Sequence, residues 1–196
     1  MQKTLQIIRP SNIVVFTDHP QDFIDMKVGM DIIFVPVAPF PDWQDVSIWA
    51  MTELHLYANL FREYVMSIHW DGFPINEGAW FPEFMEYDFI GAPWPDGEVG
   101  NDGFSIMSKR IILARGRLGI KPTKELCHPA DALTLHKGFV SEYGTSSYWP
   151  RLEALGIRKA PAEVARRFSA EDRRYTGEFG FHGKMVLTQL YQEARI

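Results

Sequence analysis

A single cysteine, Cys127, occurs in 196 residues. That excludes an internal disulfide and any cysteine-rich zinc site, and it fits a reducing compartment. Long apolar runs are also missing. A membrane helix needs roughly 20 apolar residues, whereas the most apolar run here, Ile32 to Phe40, is short and carries Pro36 and Pro39. No signal-peptide core follows Met1, because Gln6 and Arg9 turn the segment polar again. Positive charge is in deficit: 20 Lys and Arg face 25 Asp and Glu, a net charge of −5. An acidic chain is a poor default partner for nucleic acid or an anionic membrane. Internal repeats and low-complexity tracts are absent. The expectation is a soluble, cytoplasmic protein with no integral membrane segment and no nucleic-acid partner.

What is present supports one sizeable core. The chain is 46% hydrophobic and 14% aromatic, which excludes a mainly disordered protein and suggests a single domain over residues 1–196. Asn12 to Thr17 and Asp31 to Val37 are short β-branched runs that read as strands. Asp42 can cap a helix whose apolar positions, Val46, Trp49, Ala50, Leu54, Tyr57, Leu60 and Phe61, recur every three or four residues. Tyr64 to Ile68 reads as a third strand. Strand, helix, strand in this order predicts an α/β fold with a partly parallel sheet. Phe73 to Asp102 is rich in Pro, Gly and Trp and reads as short, irregular pieces. Further on, Ser108 caps a helix to about Leu118, with Gly119 past its end. Shorter helices are expected at Asp131–Lys137, between Pro150 and Gly156, and over Ala160–Phe168.

Charge is unevenly distributed. Residues 71–102 hold eight acids and no Lys or Arg, while residues 151–174 hold seven Arg or Lys and four acids. Two solvated faces would explain this. So would a site that needs both signs close together.

Four constellations can carry chemistry. Asp71 follows an apolar strand directly, and ligands of open α/β sheets gather at the carboxyl ends of strands. A carboxylate there can hold a hard divalent cation. His69 shares a face with it if the segment is extended. The competing reading is that Asp71 only begins a turn before Gly72. His182, in Phe179-Gly180-Phe181-His182-Gly183, is either a metal or phosphate contact or a packed, hydrogen-bonded imidazole. Val99-Gly100-Asn101-Asp102-Gly103 is a tight turn whose backbone N–H groups can clasp a sugar or phosphate, although it lacks the Gly-Lys-Ser/Thr end of a P-loop. Asp131 is a helix cap or a general base. Cys127 beside His128 is no nucleophile–base pair, and Ser141, Ser146 and Ser147 lack a nucleophile-elbow pattern.

Taken in order, Trp70-Asp71-Gly72-Phe73, Tyr87-Asp88-Phe89-Ile90-Gly91-Ala92-Pro93-Trp94, Val99 to Ser105, Arg166 to Glu171 and Phe179 to Gly183 resemble an uncharacterised glycosyltransferase-like family. Its signature reads DGF, YDYIGAPW, VGNGGFS and FGFHG. The similarity covers nearly the whole chain. It implies a GT-A-like, nucleotide-diphospho-sugar transferase architecture, a mixed sheet flanked by helices. Asp71 then stands at the metal position, as a single carboxylate rather than a full Asp-x-Asp, and His182 completes the metal or diphosphate site. Gly100, Asn101 and Gly103 line the sugar pocket. Asp131 supplies acceptor contacts or the base. Two departures accompany the resemblance: Ala130 stands where related sequences carry Glu, and the chain begins within the first helix, without the family's first strand.

The resulting expectation is a metal-dependent transfer of a sugar from a nucleotide-diphosphate donor to an unknown acceptor, such as a glycan, a lipid-linked glycan or a protein. A divalent ion, Mn²⁺ or Mg²⁺, held by Asp71 and His182 offsets charge on the leaving diphosphate. Arg166 and Arg167, with Arg173 or Arg174, offer forks that match phosphate oxygens. Trp70, Trp80 and Trp94 can stack on sugars, with core packing expected for at least two of them. The alternatives are an inactive carbohydrate- or nucleotide-binding relative and a metal-dependent hydrolase using His69, Asp71 and His182, which needs three converging ligands.

Overall fold

The computed structural model describes residues 2–23, 31–95, 97–120 and 148–193. Helix α1 (Gln2–Ile7) leads into a parallel pair, β1 (Ile13–Thr17) and β2 (Ile32–Pro36), aligned from Ile13 on Ile32 to Thr17 on Pro36. Helix α2 (Trp43–Thr52) begins where the Asp42 carboxylate accepts the Asp45 N–H at 3.0 Å, the capping contact its position suggests. The apolar spacing predicts one helix to Phe61. Instead the chain tightens after Thr52 into a 3₁₀ helix over Leu54–Leu60, which buries Leu54 and Ala58. Its His55 ring lies against Gly116, where an added Cβ would stand 2.6 Å from the ring.

The third strand, β3 (Tyr64–Ile68), corrects the expected topology. It does not extend a parallel sheet. A two-residue turn takes it into β4 (Gly72–Pro74), and so short a connection can only reverse the chain. Its hydrogen-bonded partner is β6 (Phe104–Ser108), which runs antiparallel to it and also to β5 (Phe89–Gly91). A third small sheet has β8 (Gly180–His182) at its centre, antiparallel to β4 and parallel to β7 (Ser169–Ala170). The architecture is mixed α/β, with helices around small mixed sheets.

Helix α3 (Lys109–Leu118) is bracketed as its sequence indicates. Ser108 Oγ accepts the Ile111 N–H, and Gly119 ends the helix at φ +57°. Helix α4 (Trp149–Glu153) has Pro150 in its first turn, and α5 (Ala162–Phe168) follows. The sequence pattern predicts nothing beyond Phe168, yet the chain adds β7, β8 and α6 (Lys184–Gln192). The expected helix at Asp131–Lys137, the Cys127–His128 pair and the serines at 141, 146 and 147 lie outside the described residues.

Packing centres on phenylalanines. Phe104 stacks on Phe168 with ring centroids 4.7 Å apart and planes 8° from parallel. Phe84 meets Phe168 edge-on at 5.4 Å, and Phe179 closes the group. All four rings are fully buried. Gly180 lets β8 cross this group, because a Cβ there would lie 2.3 Å from Phe104 Cε1.

The acidic middle and the basic stretch partly meet each other. Arg167 pairs with Glu83, Lys159 with Glu98 at 2.8 Å, and the Arg158 N–H reaches Asp88 at 2.9 Å. Part of the uneven charge is therefore structural: two ion pairs and one backbone hydrogen bond join the two stretches.

Residues 171–178 are shaped by a buried carboxylate. Glu178 accepts the Thr176 N–H at 2.7 Å, the Thr176 hydroxyl at 2.8 Å and the Gly177 N–H at 3.0 Å, and it pairs with Arg173. Burial opposes its charge, but these donors outweigh burial and hold its pKa below the ordinary value of 4.5. A depressed folded-state pKa contributes stability that is present above the unfolded value and lost as pH falls through the folded one. Glu178→Gln should therefore cost about 2 kcal/mol at pH 7, seen as a Tm several degrees lower. The gap from the parent protein should narrow as pH drops below 4.5, and a gap independent of pH would count against this account.

Candidate metal centre

Three sequence-distant strand ends build the centre. His69 closes β3, and its N–H is shared between the Gly72 and Gly103 carbonyls, both at 3.1 Å. The Gly72 N–H returns to the His69 carbonyl at 3.2 Å, so Trp70 and Asp71 form a two-residue hairpin loop. Such loops favour Asn-Gly or Gly-containing pairs at positive φ. Neither Trp70 nor Asp71 adopts a positive φ. Negative φ at both positions is the backbone of a type I turn, which most residues adopt and which favours glycine where Gly72 stands, so the turn by itself does not distinguish the two readings of Asp71. Gly72 serves packing: a Cβ on it would come within 2.6 Å of His182 Cδ2 and 2.9 Å of the Gly103 carbonyl.

His182 reaches the hairpin because β8 pairs Gly72 with His182, while the Gly183 N–H donates to the Asp71 carbonyl at 2.9 Å. One ligand atom each from His69, Asp71 and His182 falls within 4.8 Å of the others. Neighbouring ligands on a small divalent ion stand about 3.0–3.5 Å apart, given bonds near 2.1 Å, so the side chains would have to close by about 1 Å or more to form a coordination set. The rings of His69 and His182 meet edge-on with centroids 5.8 Å apart. His182 Nε2 lies 3.6 Å from Asp71 Oδ1. The Asp71 carboxylate, only 14% exposed, takes no hydrogen bond among the described residues. A largely buried carboxylate that takes no hydrogen bond suits a cation, either a bound ion or a protonated His182.

The opposite nitrogen of His182 is anchored. His182 Nδ1–H donates to Glu171 Oε2 at 2.9 Å, and Asn101 Nδ2 donates to the same oxygen. Asn101 Nδ2 also stands 3.1 Å from His182 Nδ1; with its proton on Nδ1 the neutral imidazole satisfies Glu171 and leaves Nε2 to ligate, the arrangement second carboxylates impose on ligating histidines. Asn101 Oδ1 in turn accepts the Gly103 N–H at 2.9 Å. Burial opposes charge on His182, but Glu171, Asp71 and Asp102 outweigh it and raise its pKa. Burial also raises Glu171, against the pull of His182. Burial dominates at His69 and lowers its pKa, against the pull of Asp102 and Asp71.

The sequence-derived candidates separate clearly. Asp71 and His182 converge, and His69 joins them as a third candidate ligand. Gly100, Asn101 and Gly103 are buried, so their loop does not present open backbone N–H groups. Asn101 and Gly103 instead support His182. Arg166 and Arg167 lie elsewhere. Both line an open cleft of about 430 Å³ with Asn76, Phe81 and Gly177, at the far end of the β4–β8 ladder. Arg167 is held there by Glu83 and lies over the Phe81 ring at 4.8 Å. Asp131 lies outside the described residues. Glu171 is the partner that sequence reasoning leaves without a role, since one acid among arginines carries no distinguishing pattern.

The fold and the site thus define a mixed α/β protein with a candidate cation centre built from two histidines and an aspartate. The chain matches, over residues 29–182, the family described as "Protein of unknown function (DUF5672)", and it belongs to that family. The match contains His69, Asp71, Asn101, Gly103 and Glu171 and ends on His182. No curated protein and no solved structure matches the chain.

Gly103 gives the sharpest test of this packing. A Cβ there would stand 1.9 Å from His182 Nε2, so Gly103→Ala must push the imidazole away. The expected outcome is loss of divalent-cation binding by calorimetry from a variant that keeps its far-UV circular dichroism. Binding at parental affinity would show that His182 is not a ligand.

Proposed function

We propose that the protein is a metal-dependent glycosyltransferase of GT-A-like architecture, using a nucleotide-diphosphate sugar as donor. The observation that carries this reading is the convergence of His69, Asp71 and His182 at the end of β3. The order of the sequence motifs supports it further. A divalent ion held there would offset the charge of a departing nucleoside diphosphate. Two imidazoles and one carboxylate favour a borderline ion such as Mn²⁺ over Mg²⁺, which prefers oxygen alone. Within this reading His69, Asp71 and His182 hold the ion and Glu171 orients His182. Asp131 is the proposed base toward the acceptor hydroxyl. Arg166 and Arg167 stand away from the ion, so their guanidinium groups serve the acceptor side or the fold rather than the diphosphate.

A second reading uses the same centre. Three converging ligands also meet the minimum for a metal-dependent hydrolase. The two readings part on products: transfer needs a nucleotide-sugar preference, whereas hydrolysis of simple phosphodiesters does not.

Calorimetry with Mn²⁺ and a panel of UDP, GDP, CDP and dTDP sugars tests the proposal. Asp71→Asn should abolish metal-dependent nucleotide binding while leaving Tm nearly unchanged. Glu171→Gln should weaken Mn²⁺ about 10- to 100-fold. A folded parent protein that binds no nucleotide in Mn²⁺ would sink the transferase reading.

The pKa directions give a separate test. Because the pKa of His182 is raised above the ordinary imidazole value of 6.5, the ion must displace a proton from it, and affinity should climb as pH rises above that value. Glu171→Gln removes the charge that raises His182 and should move this climb to lower pH. An affinity that does not rise with pH above 6.5 would remove His182 from the ligand set.

A further inference from the structure

Away from the cation centre, one cleft holds cationic groups that the fold leaves unused. It is the space of about 430 Å³ between the end of α5 and the segments at 76–81 and 176–178. Arg166 and Arg167 stand in the last turn of α5, where basic residues ordinarily complement the helix dipole. That role does not occupy their forks here, because the carbonyls at this end already have donors. Ala165 accepts the Ser169 N–H, Arg166 accepts the Arg173 guanidinium at 2.9 Å, and Arg167 accepts the Phe179 N–H at 3.1 Å. The Arg167 side chain gives one nitrogen to Glu83 and lies over the Phe81 ring. The Arg166 side chain is exposed and meets no partner among the described residues.

The opposite wall brings little opposing charge. Glu178 borders the cleft, but both its oxygens are taken. Oε1 accepts the Thr176 hydroxyl and pairs with Arg173, and Oε2 accepts the Thr176 and Gly177 N–H groups. Arg167 offsets Glu83 and Arg173 offsets Glu178, which leaves the charge of Arg166. Asn76 adds an acceptor. Its Nδ2 donates to the Gly177 carbonyl at 2.7 Å, while its Oδ1 accepts nothing among the described residues. Gly78 leaves that oxygen uncovered, since the nearest atom to a Cβ there would be Asn76 Oδ1 at 3.5 Å.

We propose that this cleft is a second ligand site, for a phosphate monoester whose body carries hydroxyl groups, such as a sugar phosphate. Guanidinium forks match phosphate oxygens. A phosphate monoester has three terminal oxygens, enough for Arg166 and for the nitrogens that Arg167 keeps beyond Glu83, whereas one fork satisfies a carboxylate. Contact with the Phe81 ring limits the directions in which the Arg167 fork can point. Asn76 Oδ1 selects an O–H or N–H donor on the body of the ligand. Beside the unpaired Arg166 that donor is a neutral hydroxyl rather than an ammonium. The site needs no metal ion, and it lies past the Pro74–Gly180 pair, at the other end of the β4–β8 ladder from His182.

The test uses the full chain after dialysis against a chelator. Calorimetry follows inorganic phosphate, glucose, glucuronate and the phosphates of glucose, galactose and mannose. At least one hexose phosphate should bind more tightly than inorganic phosphate, and glucose should give no signal. Arg166→Gln should weaken that hexose phosphate about tenfold, and Arg166→Lys, which keeps the charge without the fork, should fall between. Because Arg166 is exposed and unpartnered, both variants should keep the parental Tm and Mn²⁺ affinity. Asp71→Asn should bind the hexose phosphate as the parent protein does, which separates this cleft from the cation centre. The site is overturned if no hexose phosphate binds, or if Arg166→Gln leaves binding unchanged. Inorganic phosphate as tight as the sugar esters would remove the hydroxyl contact, and tighter glucuronate would remove the phosphate; either overturns the ligand class. Loss of binding in Asp71→Asn would place the ligand at the cation centre and overturn the second site.

Discussion

Everything in the centre depends on how closely β8 is allowed to approach the hairpin and β6. Three glycines permit it. Gly180 lets the strand pass over Phe104, while Gly72 and Gly103 make room for the His182 ring on either side. A methyl group at any of these positions would overlap a ring or a carbonyl, and packed interiors do not yield by such amounts. The aromatic group of Phe84, Phe104, Phe168 and Phe179 then presses the elements together. Core packing and site geometry are thus one constraint: the residue after Gly103 is Phe104, and the residues flanking Phe181 are Gly180 and His182.

Two buried acids organise the segment that delivers His182. Glu178 gathers the donors of its own loop and Arg173, and Glu171 fixes the imidazole through Nδ1. The first is an ordinary structural carboxylate, fully supplied with donors. The second is different, because burial works against its charge and only His182 and Asn101 compensate. A carboxylate kept in such a place supports an orienting role, since a packed apolar residue would stabilise the fold more cheaply in desolvation.

The uneven charge of the chain acquires a different meaning in the fold. Glu83 and Glu98 of the acidic stretch pair with Arg167 and Lys159 of the basic one, and Asp88 accepts the backbone N–H of Arg158. Those contacts tie the irregular middle segment to helix α5 and the turn before it. What is left for the cation centre is small: Asp71 from the acidic stretch, Glu171 from the basic one, and the two histidines between which they act.

Local structure was readable where local physics decides it. The caps at Asp42 and Ser108, the left-handed Gly119 and the strands around Val14 and Ile33 follow from residue type and spacing alone, whereas the parallel pairing of those strands does not. Asp71 and His182 also stood out, one for its place after a strand and the other for its flanking glycines. The partner of β3 was not readable, because alternation of apolar residues marks a strand without naming its neighbour. Nor were β8 and α6, whose segments are too short or too mixed in pattern to mark themselves. The burial of the Gly100–Gly103 loop and the separation of Arg166 and Arg167 from the cation centre needed the fold as well, since glycine and arginine carry the same signal in a scaffold as in a binding loop. Residue chemistry nominates ligands one at a time; only long-range strand pairing decides that His69, Asp71 and His182, more than a hundred residues apart at the extremes, share one point in space.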